Sequence, residues 1–202
     1  KLKNMKNYGA NINIHGRDCV DAEKKARDES KKINRPYISP YNDIHVIAGQ
    51  GTIGVEVMSQ CDKLDTIIIS VGGGGLIGGI GAYLKSVLPQ INIIGCSPEN
   101  SAVMIHSIQA GEILDMESKP TLSDGTAGGV EENSITFPIC KDVIDKLIMV
   151  NESEIQQAMV NYIKYEHSLI EGAAGTAIAA LSKLKNELQG SKVAVVICGG
   201  NI

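Results

Sequence analysis

Four consecutive glycines separate a run of apolar residues from a segment with helical periodicity. The preceding run, TIIISV, has the length of a strand and is apolar throughout, as expected for a strand that is buried on both faces. The following segment, LIGGIGAYLKSVL, places five apolar residues on one helical stripe: Leu76, Ile80, Leu84, Val87 and Leu88. A buried strand, a glycine turn and a helix in succession predict one unit of an α/β fold.

The alternation of strands and helices extends over the rest of the chain. Apolar runs of strand length recur at INIIGC, DKLIMV and KVAVVIC, and the segments between them have helical character. Asn151 and Glu154 predict a capping box at the start of one helix, and Asp18 is a candidate N-cap of another. NINIH, before Asp18, predicts an additional short strand. The predicted fold class is therefore α/β, with a mostly parallel sheet and helices on both faces.

Composition narrows the classes of function. A hydrophobic content of 43% is enough for a substantial core, and a net charge of −4 argues against a nucleic-acid or membrane partner. No apolar stretch is long enough to span a membrane, and the first residues have no apolar signal-peptide core. The five cysteines are scattered without metal-binding spacing, which indicates reduced thiols. We predict a cytoplasmic protein.

The glycine joint has the geometry of an anion site. The first amides of a helix have no intrahelical partner and carry partial positive charge, and they suit a phosphate. Glycines there remove the Cβ atoms that would keep a phosphate away from the amides. The alternative is a tight strand-to-helix turn that binds no ligand. Three further glycines inside the helix, Gly78, Gly79 and Gly81, predict close packing of that helix on the sheet.

The spacing of the glycines alone does not determine which phosphate-containing ligand would bind. The chain has no GxxxxGK[ST] segment, which excludes a nucleoside-triphosphate P-loop. Gly73, Gly75 and Gly78 form a GxGxxG pattern, and Glu99 follows about 20 residues later, as in dinucleotide-binding proteins. A dinucleotide-binding oxidoreductase is therefore one interpretation.

Six segments, in their order along the chain, point to a second interpretation: VIAGQGTIGVEV, SVGGGGLIGGIG, IIGCSPENSAVM, LSDGTAGG, SLIEGAAGTAIAAL and VVICGGNI. Together they resemble the threonine/serine dehydratase family, to which serine racemases also belong, over essentially all 202 residues. These are pyridoxal 5'-phosphate (PLP) enzymes of fold type II, with a tryptophan synthase β-like architecture. The resemblance implies PLP as cofactor and a small amino acid as substrate.

The activity that the resemblance implies is that of an ammonia-lyase. Such an enzyme converts threonine, serine or a related β-hydroxy amino acid into a 2-oxo acid and ammonia. A serine racemase-type activity is an alternative within the same family. A non-catalytic binding fragment is another alternative, and the formation of a homodimer is left open.

The resemblance also implies which residues bind the cofactor. The phosphate loop would consist of Gly72, Gly73, Gly74, Gly75 and Leu76. Cys198 occupies the position of a Ser or Cys beside the pyridine nitrogen, and a largely neutral thiol there would not enforce a protonated ring. The remaining candidates are Glu171, near the ring, and the loop residues Asp124 and Gly125. Each candidate has an alternative interpretation. Cys198 could be a small buried strand residue and Glu171 an acid at a helix N-terminus. Asp124 and Gly125 could form an ordinary Asp-Gly turn.

A first departure from the family concerns metal binding. Some members bind a divalent cation through carboxylates after the corresponding strand. Ser97 and Val103 stand where acids are expected here, and Glu99 is the one acid nearby. Because hard cations need several oxygen ligands, no metal is predicted.

A second departure concerns the catalytic lysine. The family carries its Schiff-base lysine in a Ser-Phe-Lys-x-Arg-Gly-like motif, followed by a Ser-Gly-Asn-His-like loop for the substrate carboxylate, and neither occurs in this chain. The resemblance thus implies a chain with no catalytic residue of its own. Residues 1–41 would be the remainder of the small domain and residues 42–202 the large PLP-binding domain, with an N-terminal portion missing. We expect this chain to be inactive alone.

Overall fold

A computed structural model describes residues 2–200, in which helices and parallel strands alternate. The helices are α1 Leu2–Asn7, α2 Cys19–Lys32, α3 Ile44–Gln60, α4 Gly75–Val87, α5 Val103–Ala110, α6 Thr136–Val143, α7 Glu152–Glu166 and α8 Gly172–Leu184. The strands are β1 Thr66–Ser70, β2 Asn92–Pro98, β3 Lys146–Val150 and β4 Val193–Val195. Short 3₁₀ turns span Glu99–Ser101 and Asp124–Thr126. Within residues 2–200, no helix is long and apolar enough to cross a membrane.

The four strands form one parallel sheet in the order β3-β2-β1-β4. Ile68 in the middle of β1 is in register with Ile94 of β2 on one side and with Val195 of β4 on the other. The chain therefore moves outward from β1 through β2 to β3 and then returns to the opposite side of β1. In α/β sheets, ligands bind at the carboxyl ends of the strands where the winding direction changes, which is here between β1 and β4.

The two faces of the sheet are covered by different helices. In β1, Ile67 and Ile69 belong to the core under α3, α4 and α6, whereas Ile68 belongs to the core under α7 and α8. All three side chains are fully buried, as expected for alternating side chains of a strand with helices on both sides. The predicted sheet with helices on both faces is therefore confirmed.

The glycines of α4 pack differently from the prediction. A Cβ atom on Gly79 would lie 2.1 Å from the carbonyl oxygen of Ile47, so this glycine allows contact with the backbone of α3. A Cβ on Gly78 would meet Ile139 of α6, and one on Gly81 would meet Val143 of α6 as well as the sheet. The close packing is mainly between helices, because α4 is enclosed by two of them as well as by the sheet.

In the region before α3, the predicted N-cap is confirmed and the predicted short strand is wrong. Asp18 caps α2, accepting a hydrogen bond from the amide of Val20. Residues 11–15 form no strand, and Ile14 is 74% exposed. A strand needs a partner for its backbone groups, and no strand lies beside this segment within residues 2–200. The domain boundary after residue 41 stays a prediction.

Candidate functional site

A cavity of about 480 Å³ opens at the carboxyl edge of the sheet, where the loops that follow β1 and β4 come together. Its volume is typical of sites that bind cofactors and other small molecules. All nine residues predicted to bind the cofactor line this one cavity: Gly72, Gly73, Gly74, Gly75, Leu76, Asp124, Gly125, Glu171 and Cys198. The structure thus brings together segments that lie far apart in the sequence.

The glycine loop ends in a helix N-terminus that is buried and has no side-chain cap. Gly74 is the N-cap of α4, has a φ of 86°, and is buried together with Gly75. As a glycine, Gly74 provides no side-chain cap for the helix. Because the first-turn amides have no intrahelical acceptor either, they are donors that need a partner. An anion in the cavity would supply that partner and would be favoured by the helix dipole.

The neighbours of the loop explain why its residues are glycines. A Cβ atom on Gly73 would lie 2.4 Å from the ring of Tyr41, and one on Gly72 would lie 2.9 Å from the backbone of Thr126. The expectation that the glycines mainly make room for a ligand is therefore incomplete, since protein atoms already require them. The buried and uncapped helix start is the stronger indication of an anion.

The charges around the cavity are unusual for an anion site. Within residues 2–200, the side chains that line it include the acids Glu23, Asp124 and Glu171 but no lysine, arginine or histidine. A phosphate bound here would consequently depend on backbone amides and the helix dipole for its attraction to this chain.

Cys198 lines the same cavity as the glycine loop and lies in the segment that follows β4. Burial raises the pKa of its thiol above the ordinary value, contact with Ser70 lowers it, and the charge of Glu171 raises it. The hydroxyl of Ser70, the last residue of β1, donates a hydrogen bond to the carbonyl oxygen of Ala173 at 2.6 Å. The net change is upward, which favours the neutral form of the thiol.

Glu171 and the turn at Asp124–Thr126 form a neighbouring wall of the cavity. The amide of Glu171 donates a hydrogen bond to the carbonyl oxygen of Gly199 at 3.2 Å, which links the start of α8 to the segment after β4. A Cβ on Gly172 would lie 1.9 Å from the carbonyl oxygen of Leu122, so the segment that leads into the turn is in direct backbone contact with the start of α8. These contacts fix the position of the wall relative to the sheet edge.

A family model described as "Pyridoxal-phosphate dependent enzyme" matches residues 1–199. The chain belongs to this family. Of the two interpretations of the glycine run, membership favours the PLP interpretation over the dinucleotide one, and PLP is the cofactor of the family. It also confirms the resemblance on which the sequence analysis relied.

Two relatives illustrate the similarity of this chain to other members of the family. The chain is 38% identical to an L-threonine ammonia-lyase of Thermotoga maritima over 203 residues, which cover 100% of this chain and 50% of the relative. It is also 38% identical to the catabolic L-threonine dehydratase of Escherichia coli K12 over 197 residues, which cover 96% of this chain and 60% of the relative. The chain thus spans about half of the length of these relatives.

Solved structures of PLP-dependent enzymes share the fold. Maize serine racemase is 28% identical and superposes with a TM-score of 0.89, with coverage of 100% of this chain and 63% of the racemase. A pyridoxal 5'-phosphate-dependent aspartate racemase is 31% identical, with the same TM-score and the same coverages. The predicted fold type II is confirmed.

The structure describes the surroundings of the two positions, Ser97 and Val103, where the family resemblance leads one to expect acids. Ser97 is fully buried, and its hydroxyl donates to the carbonyl oxygen of Val71 at 2.7 Å. Val103 is buried and Glu99 is exposed. Residues 2–200 contain no group of three or more His, Cys, Asp or Glu residues placed to hold a metal ion.

Tyr41 and Glu23 are among the cavity-lining residues that could not be named from the sequence. The Tyr41 hydroxyl accepts a hydrogen bond from the amide of Glu131 at 2.9 Å and donates one to the Glu23 carboxylate at 3.1 Å. The tyrosine follows Pro40 in an extended segment, which is a weak signal. Glu23 lies in a highly charged helix, where sequence alone indicates an exposed residue.

Glu23 makes stability depend on pH. Burial, together with the charges of Glu131 and Asp18, raises the pKa of this carboxyl to about 7, although the hydrogen bond from Tyr41 opposes the shift. Because the pKa of Glu23 is higher in the folded than in the unfolded protein, its contribution to stability is complete below the unfolded pKa of 4.5 and is lost as pH rises through 7. Between pH 5 and pH 8, we expect the free energy of unfolding of the wild type, measured by urea denaturation, to fall by up to about 3 kcal/mol more than that of the Glu23→Gln variant, which cannot ionise at this position. Parallel pH profiles for the two proteins would contradict this.

Proposed function

We propose that this chain forms the phosphate-binding part of a PLP-dependent ammonia-lyase that acts on threonine, serine or a related β-hydroxy amino acid. The observation that carries the proposal is the buried, uncapped start of α4, which faces a cavity with no cationic side chain within residues 2–200. Neutral amide donors at a helix N-terminus suit a phosphate dianion. The similarity to threonine ammonia-lyase and threonine dehydratase supports the substrate class.

The residues of the cavity have distinct proposed roles. The amides of the loop from Gly72 to Leu76 would hold the cofactor phosphate, and Cys198 would contact the ring nitrogen. A neutral thiol is a weak hydrogen-bonding partner and does not fix a proton on that nitrogen as a carboxylate would. Glu171 and the turn with Asp124 and Gly125 would border the ring. The contacts between these segments, described above, would hold these residues in fixed relative positions.

The cofactor would supply the chemistry, and the residues of this chain would bind and orient. When bound, PLP withdraws electrons from the α-carbon of an amino acid, so that the α-hydrogen and the β-hydroxyl group can leave. The cavity residues of this chain bind and orient, and none of them is proposed as the catalytic base. The lysine motif of the family does not occur in the 202 residues. We therefore propose that the lysine belongs to a part of the protein outside this chain and that this chain alone is inactive.

The proposal is tested by two measurements. PLP binding is followed by cofactor absorbance and fluorescence, and 2-oxo acid formation from threonine and serine is assayed with PLP added. We expect the full-length protein to bind PLP and to form the 2-oxo acid, and the 202-residue chain to form none. Turnover by the 202-residue chain, or quenching by NADH without a response to PLP, would refute the proposal. PLP binding without turnover by the full-length protein would favour the non-catalytic alternative.

A racemase is the second candidate, because solved structures named serine racemase and aspartate racemase superpose on the whole chain. Chiral analysis of the amino acid that remains in the same assay separates the two activities. Formation of the D-enantiomer faster than the 2-oxo acid would favour the racemase.

A further inference from the structure

Tyr41 connects the glycine loop to helix α2. Its ring lies against the loop, since Cβ atoms added to Gly73 and Gly75 would lie 2.4 Å and 3.0 Å from Tyr41 atoms. The tyrosine is buried, and its hydroxyl is held between the amide of Glu131 and the carboxylate of Glu23. The position of the ring against the loop is therefore determined at its far end by these two hydrogen bonds.

Glu23 is the one residue of α2 that is buried. On a helix that packs on a protein, the buried position is ordinarily apolar, because removing a carboxylate from water is unfavourable. Glu23 nevertheless lines the cavity, and Tyr41 is its hydrogen-bonding partner among the residues that the structure describes. A leucine would fill this position at lower energetic cost, so the carboxylate points to a role beyond packing.

We propose that Glu23 is a positioning residue that, through Tyr41, holds the glycine loop in the conformation that receives the cofactor phosphate. The inference rests on the proposed function, because it concerns the same phosphate site. It adds that α2, from the N-terminal part of the chain, controls a loop formed by β1 and α4.

The charges around Glu23 determine how this control depends on pH. The titratable or charged groups that face it are Asp18, Cys19, Arg27, Tyr37, Tyr41 and Glu131. The one cation among them, Arg27, already makes a bidentate pair with Glu131 at 2.8 and 2.9 Å. A phosphate in the same cavity adds negative charge, so phosphate binding favours the protonated form of Glu23. PLP affinity should therefore fall as pH rises through 7.

The experiment measures the PLP dissociation constant of the full-length protein by fluorescence after removal of bound cofactor. We expect Glu23→Ala and Tyr41→Phe each to weaken binding about tenfold, on the scale of one hydrogen bond to a charged group. Because both changes break the same link, the double variant should be no weaker than either single variant. Glu29→Ala is the matched control, since Glu29 is an exposed glutamate on the same helix, and its dissociation constant should equal that of the wild type.

The variant Glu23→Gln separates positioning from charge. Glutamine can accept the hydrogen bond from Tyr41 but cannot ionise, so it should retain the affinity of the wild type at pH 6. Between pH 6 and pH 8, wild-type affinity should fall severalfold relative to that of Glu23→Gln. This ratio also cancels the titration of the phosphate itself.

The possible outcomes distinguish the two proposals. A wild-type protein that does not bind PLP refutes the proposed function. If the wild type binds and Glu23→Ala binds within twofold of it, the positioning role is overturned. Independent, additive effects of the Glu23 and Tyr41 changes would also overturn it. If Glu23→Ala fails to fold, the pH profiles of the wild type and Glu23→Gln decide, and parallel profiles with lower affinity at all pH values for Glu23→Gln count against the proposal.

Discussion

Replacing Gly74 by alanine is expected to weaken PLP binding on the order of 100-fold, because the backbone that offers the amides would move. Gly74 has a φ of 86°, in the left-handed region, and its added Cβ atom would lie 2.6 Å from the Sγ atom of buried Cys140. The strained backbone and the overpacking together should lower the free energy of unfolding by about 3 kcal/mol. PLP titration and urea denaturation measure the two effects.

Gly190→Ala is the matched control for backbone strain. Gly190 has nearly the same φ, 84°, but an added Cβ atom would meet nothing within 4 Å. We expect this variant to lose only about 1 kcal/mol of stability and to bind PLP as the wild type does. If Gly74→Ala were no worse than Gly190→Ala in either measurement, the packing of the loop would not constrain the cofactor site.

Gly79→Ala should destabilise the fold by about 3 kcal/mol or more, because its Cβ atom would overlap backbone rather than a movable side chain. The added atom would lie 2.1 Å from the carbonyl oxygen of Ile47 and 2.8 Å from the amide nitrogen of Gly51. Neither atom can move away unless α3 shifts as a whole. Because α3 and α4 share the core on one face of the sheet, urea denaturation should show a large fall in the unfolding midpoint.

Gly49→Ala, in helix α3 of the same pair, is expected to stabilise the protein, in contrast to Gly79→Ala. Gly49 is exposed within α3, and its added Cβ atom would meet nothing within 4 Å. Alanine there should stabilise the protein by about 0.5–1 kcal/mol, because glycine is a poor helix former. Equal effects of the two substitutions would show that α3 and α4 do not pack closely in solution.

The sequence was most informative where local pattern and burial agree. The apolar run of β1, the glycines after it and the capping box at Asn151 and Glu154 each correspond to an element of the structure. The nine site residues could be named because six segments of the chain resemble a known family. The glycine loop and Cys198 line one cavity because they follow the neighbouring parallel strands β1 and β4, whose carboxyl ends share an edge. Their roles toward PLP stay a prediction.

The sequence was least informative where distant partners decide the structure. Residues 11–15 alternate like a strand but have no strand to pair with in the described part of the chain. The contact of Gly79 with α3 depends on how two helices cross, which their separate patterns do not encode. Glu23 resembles its exposed neighbours in a charged helix, and only the folded structure places it beside Tyr41.

The order of the strands has a consequence for the time at which the site can form. The glycine loop is synthesised well before Cys198, yet the two segments meet only once the three-residue strand β4 has paired with β1. Such a pairing of distant segments is slow compared with the formation of local structure. Nascent chains on the ribosome should therefore be unable to capture PLP until β4 has emerged from the exit tunnel.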